Sequence, residues 1–299
     1  MTAIRPRRSV LYMPGSNTRA LEKARTLAAD GIIIDLEDAV APDAKDAARD
    51  QTVAAVKAGG YGPREVVIRV NGPGTPWSAA DIKAAAFSGA DAVLLPKVQS
   101  PDDLRAARAV LGEAGAPPEL ALWAMMETPL AMLNAAQIAA AGPAGPYPLA
   151  VFVMGTNDLA KETRASLGGG RLGMLSWLAT CIAAARAYGL DVLDGVYNSI
   201  GDEEGFKEEC KQGKLIGMDG KTLVHPSQIA PCNAIFSPDE GEVVWAQKII
   251  DAFALPENAG KGVIMVEGRM AEIMHADMAK RTVAIADMIA DMEQGHRQQ

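Results

Sequence analysis

Aromatic residues are scarce in this chain, at 5% of 299 positions. A core of that size must then be built from Ala, Val, Ile, Leu and Met. Cysteine is scarcer still: Cys181, Cys210 and Cys232 are odd in number and far apart. They form no CxxC pair, so neither a zinc site nor a disulfide framework is expected, and reduced cysteines in a cytoplasmic protein fit best. No apolar run reaches about 18 residues, which excludes a predicted membrane span. The basic stretch ahead of Ser9 meets no long apolar segment before Pro14-Gly15, so no signal peptide is expected. An excess of positive charge is also missing. The net charge of −8 argues against nucleic acid as the main partner, yet leaves an anionic small molecule open.

The rest of the composition, 49% hydrophobic and 22% charged, is that of an ordinary globular protein. Short apolar runs alternate with Ala-rich segments of helical period. Strands are predicted at Ser9–Met13, Ile32–Ile34, Val66–Val70, Ala92–Leu95, Leu120–Met126, Ala150–Met154 and Leu190–Leu193. An eighth lies within Leu215–Val224, interrupted by Gly217 and Gly220. These runs are continuous rather than alternating, the mark of strands covered on both faces. Asn17 is a candidate cap for the helix running through Ala20, Leu21, Ala24 and Leu27. Pro42–Lys57, Ala79–Phe87 and Pro101–Leu111 read as further helices. Eight strands with intervening helices predict a parallel (β/α)8 TIM barrel over residues 1–237. A doubly wound sheet is the alternative, but the Gly-rich dinucleotide fingerprint after the first strand is missing. Residues 238–299 read as a C-terminal helical extension: a helix at Pro238–Phe253, a linker at Leu255–Val266, and a long amphipathic helix at Met270–Met292. Its methionine stripe is expected to pack on the barrel or on a neighbouring subunit. Gly168-Gly169-Gly170 reads as a loop tip.

Several charged residues stand at predicted strand ends, where parallel barrels carry their chemistry. Glu127 follows one apolar run and Asp158 follows the next. Two carboxylates at one level of adjacent strands suit a hard divalent cation such as Mg²⁺. Asp35, Glu37 and Asp38 close the second strand; in a continuing strand Asp35 and Glu37 share one side. They are expected to serve a metal's outer shell or to move protons, with capping and salt bridging as the plainer role. Arg69, inside an otherwise apolar third strand, needs an acidic partner or an anionic ligand. Lys97 is expected to pair structurally or touch phosphate rather than form a Schiff base. His225 reads as structural, and the cysteines as inert.

Taken in order, Pro14-Gly15-Ser16-Asn17, the run DLEDAV at 35–40, Arg69-Val70-Asn71, Leu95-Pro96-Lys97-Val98, Glu127-Thr128, Gly155-Thr156-Asn157-Asp158-Leu159 and the stretch from Gly220 to Ile229 form a specific set. The chain resembles the citrate lyase β-subunit-like proteins, in the superfamily of malyl-CoA and citramalyl-CoA lyases. The resemblance runs from Arg8 to about Asp277. It implies a barrel, a Mg²⁺ ion held by Glu127 and Asp158, and a substrate-binding arginine at Arg69. It further implies CoA phosphates near the loop at Pro14, with Arg19 and Lys23 as contacts, and a homo-oligomer, a trimer or hexamer. The implied reaction is cleavage or formation of a 3-hydroxyacyl-CoA, giving acetyl-CoA and a 2-oxo acid. Alternatives are malate synthase or malyl-CoA thioesterase activity, the β component of a multi-subunit citrate lyase, and a CoA-independent pyruvate class II aldolase. Lyase-like members carry an aspartate in a C-terminal Gly-x-Met-x-Asp segment reaching a neighbouring active site. Here the match is Gly268-Arg269-Met270-Ala271-Glu272, so Glu272 is the leading candidate base, with Asp35, Glu37 and Asp38 behind it.

Overall fold

The computed structural model describes residues 4–142 and 145–297. Eight strands close into a barrel: β1 (Ser9–Pro14), β2 (Gly31–Asp35), β3 (Glu65–Arg69), β4 (Ala92–Leu95), β5 (Ala121–Met126), β6 (Leu149–Met154), β7 (Asp191–Asp194) and β8 (Gly220–Leu223). Each pairs in parallel with the next, and β8 returns to β1. Helices intervene, as the alternation of apolar runs and helical segments predicts. Along β2, Ile33 packs inside the barrel with Val10, Val67, Leu94, Trp123 and Val153. Ile32 and Ile34 point outward into the layer shared with the helices. A strand buried on both faces has no polar side to display, which is why these segments read as unbroken apolar runs.

The N-terminal end of the barrel is stoppered by charge. Arg7 gives Nε and one terminal nitrogen to Glu65, and the other to Asp191. Its guanidinium lies 5.5 Å from the Trp123 ring centre. Arg8 makes a two-pronged contact with Asp30 at 2.9 Å on each arm. These groups are buried but paired, so none is an isolated charge in the core.

The eighth strand lies within the expected range Leu215–Val224 and occupies only its end. Leu215 and Ile216 end the helix Glu203–Ile216, and Gly217, at φ 103°, caps it in the left-handed region. The strand itself is half polar. Lys221 is fully buried and bonds Asp194 at 3.2 Å and Glu209 at 2.6 Å. Gly220 is needed because a Cβ there would run into the backbone carbonyl of Arg7. Gly220→Ala is therefore expected to lower stability by about 1–3 kcal/mol as β1 and β8 are pushed apart. Chemical denaturation of the variant checks this; an unchanged midpoint counts against the close contact.

Residues 4–6 and 237–297 form a second compact unit. Its first helix, Glu240–Ala254, is capped by Asp239 in a reciprocal box with Glu242. Its last, Ile273–Arg297, packs on the first through Ala246, Ile249, Ala276 and Ala279. The expected linker is only partly one. It holds the strand β9 (Val263–Val266), paired antiparallel with β10 (Arg269–Glu272). Met270 and Glu272 are thus in a hairpin, and the long helix begins at Ile273. Glu267 and Gly268 both have positive φ, 47° and 79°, the geometry of a two-residue hairpin turn. Ile264, Val266 and Ala271 bury one hairpin face. Val263, Met265 and Met270 are exposed, as are Ile273, Met274 and Met278 at the helix start.

Candidate active site

Strand register brings the site together. Asp35 ends β2 opposite Arg69 at the end of β3, and Met126 of β5 pairs with Met154 of β6. Glu127 and Asp158 follow those last two residues. A cavity of about 390 Å³ opens at this C-terminal mouth, lined by Asp35, Asp38, Arg69, Glu127 and Asp158 among others.

Arg69 is the hub of its acidic side. Nε and one terminal nitrogen reach the two oxygens of Asp35 at 2.7 and 2.6 Å. The other nitrogen reaches Glu37 at 3.0 Å and Asp38 at 3.2 Å. The Tyr12 ring lies beneath, 5.0 Å from the guanidinium carbon. All three acids of the second strand's end therefore meet Arg69. Strand alternation, which would put Asp35 and Glu37 on one side, is not how they do it. The strand stops at Asp35, whose side chain accepts the backbone N–H groups of Glu37 and Ala39. That turn wraps the chain around the arginine. Asp38 stays at the rim, its side chain 70% exposed.

Glu127 is 1% exposed, and one of its oxygens accepts the Lys97 N–H at 2.7 Å. Lys97 has φ 52° and its side chain is exposed; what it gives Glu127 is the backbone donor. Gly155 must lack a side chain, because a Cβ would lie 2.6 Å from the other Glu127 oxygen. Asp158, in the first turn of the helix Thr156–Thr163, faces the same cavity.

Negative charge is in excess here. Four lining carboxylates face one lining guanidinium, and Glu37 adds a fifth through Arg69. Burial pushes the Glu127 carboxyl up to about 8 and the Glu37 carboxyl up to about 7, with neighbouring acids adding to both. Arg69, by contrast, is held well above its ordinary value; its acidic partners outweigh its burial.

Arg19 and Lys23 lie on the exposed side of the seven-residue helix Thr18–Ala24, which Asn17 caps; neither lines the cavity. Glu272 belongs to the second unit, where its backbone N–H donates to His275 Nδ1. His225 caps the turn Pro226–Gln228 and bonds Ser227. The cysteines are buried, and burial pushes the Cys181 thiol up to about 12. Among the described residues no three His, Cys, Asp or Glu side chains converge to hold a metal ion. Sequence reading missed Tyr12 and Asn198, which also line the cavity. A polar ring in the first strand signals the former; nothing local signals the latter.

Residues 8–226 match the model of the HpcH/HpaI aldolase/citrate lyase family. The chain belongs to that family. Over 286 residues it is 50% identical to a (3S)-malyl-CoA thioesterase of Cereibacter sphaeroides, covering 95% of this chain and 96% of the relative. It is 33% identical to the citrate lyase subunit beta of Haemophilus influenzae, over 92% and 94% of the two chains. Among solved structures it resembles the protein CitE from Mycobacterium tuberculosis in complex with magnesium, acetoacetate and coenzyme A. The TM-score is 0.73 at 28% identity, covering 96% of this chain and all of that one. The family expected from the ordered motifs is the family found, and this chain is one of its enzymes. No described helix is long and apolar enough to cross a membrane.

Proposed function

We propose that this enzyme acts on a malyl-CoA-type thioester with Mg²⁺, and that its net reaction is hydrolysis to the free acid and CoA. The observation that carries the reading is one cavity joining Glu127, Asp158 and Arg69 from three strand ends. The thioester and its hydrolysis are supported by the likeness to the malyl-CoA thioesterase along 95% of the chain. Carbon–carbon cleavage to acetyl-CoA and a 2-oxo acid is the second reading, favoured by the match to citrate lyase β subunits.

The donors fit magnesium. Glu127 has one oxygen tied to the Lys97 N–H and lines the cavity with Asp158, and the burial that raises its carboxyl marks a place short of positive charge. Two carboxylates are the number Mg²⁺ commonly takes from protein, the rest being water and substrate oxygens. Bound there, the ion would supply Lewis-acid polarisation of substrate oxygens. Arg69, locked by Asp35, would present its other terminal nitrogen to the thioester or alkoxide oxygen in place of Asp38, its longest ion pair. In hydrolysis, water adds to the thioester carbon, the C–S bond breaks and sulfur leaves as thiol with a proton from that water. Glu37, its carboxyl near 7 beside Arg69, suits that proton transfer at neutral pH. Arg19 and Lys23, four positions apart on one exposed helix face, would meet CoA phosphates. The exposed face of Val263, Met265, Met270, Ile273, Met274 and Met278 supports assembly with further copies, through which Glu272 would serve carbon–carbon chemistry. Three free cysteines support a cytoplasmic setting.

Product analysis decides between the readings. Malyl-CoA with Mg²⁺ is expected to give malate and free CoA without acetyl-CoA. Acetyl-CoA with glyoxylate in equal amount replaces hydrolysis by the lyase reading. No turnover of malyl-CoA by either route sinks both.

A further inference from the structure

Across the cavity mouth, two asparagines from different loops bond each other in both directions. Asn198 Nδ2 donates to Asn157 Oδ1 at 2.9 Å, and Asn157 Nδ2 donates to Asn198 Oδ1 at 3.3 Å. Asn157 is next to Asp158 on the helix after β6; Asn198 is in the loop after β7. Both are exposed, and both line the cavity with Glu127 and Asp158. A primary amide has two N–H donors, and the mutual pair uses one from each residue. One donor on each side chain is left over.

The Asn198 loop is held in place from below. The Tyr197 carbonyl accepts from Gln228 Nε2 at 2.9 Å, and Gln228 is buried. The same Gln228 accepts from the Val224 N–H with its oxygen, and Val224 is another cavity wall. The amide pair is thus a positioned feature, with Gln228 anchoring one arm and the helix start the other.

Several other side-chain donors of this cavity are already engaged. Arg69 is engaged with three carboxylates. The Tyr12 hydroxyl points to the Met125 sulfur, and the Thr222 hydroxyl donates to the Asp194 carbonyl. A substrate carboxylate entering this negative pocket needs neutral or cationic donors for the oxygens a metal leaves free. We infer that Asn157 and Asn198 form the subsite for the terminal carboxylate of the acyl chain, so that the pair selects thioesters of dicarboxylic acids over those ending in methyl. This rests on the malyl-CoA-type reading above.

Succinyl-CoA and butyryl-CoA test it, because they have equal chain length and differ in carboxylate against methyl. Both are measured as competitors of malyl-CoA on wild type, Asn157→Ala, Asn198→Ala and Asn198→Asp. Wild type is expected to bind succinyl-CoA the more tightly. Each alanine variant is expected to lose about 10- to 100-fold in kcat/KM for malyl-CoA, and a similar factor of its preference for succinyl-CoA. The butyryl-CoA inhibition constant should stay at its wild-type value. Asn198→Asp should be worse than alanine, since it sets a carboxylate against a carboxylate. Melting temperatures should not move, the side chains being exposed. A pair that merely braced two loops would weaken both competitors alike, and that outcome overturns the inference. So does an unchanged succinyl preference in variants of a wild type that turns over malyl-CoA, leaving the function intact. A wild type without malyl-CoA turnover removes the function and the inference together.

Discussion

Glu127→Gln is expected to cut turnover of the CoA thioester by roughly 10³-fold, because it would remove a charge from the proposed Mg²⁺ seat that is worth several kcal/mol at the transition state. The same change should stabilise the metal-free protein at alkaline pH. Burial raises the Glu127 carboxyl to about 8 and that of Glu37 to about 7. Both ordinarily lose their proton near 4.5, as they would in the unfolded chain. Between those limits the folded state holds more protons than the unfolded state, so stability falls as pH rises. The metal-free enzyme should therefore melt lower at pH 8 than at pH 5.5. Mg²⁺, binding the folded state only, should raise the melting temperature, and more at pH 8. In Glu127→Gln the pH slope should flatten and the Mg²⁺ shift shrink. Differential scanning fluorimetry across pH, with and without Mg²⁺, reads all of this. A wild type whose melting is indifferent to Mg²⁺ at pH 8 speaks against the metal seat.

Arg69→Ala should be costly to fold and function together. It takes both charged bonds from Asp35 and one each from Glu37 and Asp38. Removing one partner of a buried ion pair typically costs about 3–5 kcal/mol, since the remaining charge is left in a poor solvent. Arg69→Lys keeps the charge but not the fork that spans both Asp35 oxygens. It should recover part of the stability and little of the turnover. Pairing Arg69→Met with Asp35→Asn should recover stability beyond Arg69→Ala while leaving the enzyme inactive. Urea denaturation and steady-state rates on the three variants test this. Full activity in Arg69→Lys would argue that the arginine supplies charge alone.

Much of this molecule can be read without coordinates. Seven of the eight strands sit within a few residues of their expected bounds, because strands buried on both faces leave no polar positions to blur them. The eighth lies inside its expected range but fills only the end of it, and Lys221 and Thr222 are the reason: a strand whose polar residues are buried by distant partners carries no apolar run. The hairpin before the last helix escaped because Glu267-Gly268 is not among the common turn pairs and each strand has only four residues. At the site, Glu127, Asp158 and Arg69 announce themselves as charges at the ends of apolar strands. That Asp35, Glu37 and Asp38 all serve Arg69 does not follow from their spacing. It follows from a turn that Asp35 itself caps.

Strand number, strand order, family and the acids that stand at the strand ends are properties of local pattern, and the chain alone determines them. Partnerships across the barrel are not. Arg69 meets Asp35 from 34 positions away, Asn198 meets Asn157 from 41, and Arg7 meets Asp191 from 184. Only closure of the barrel, which places strand ends side by side whatever their separation in the chain, decides which charges neutralise each other and which remain to hold a ligand.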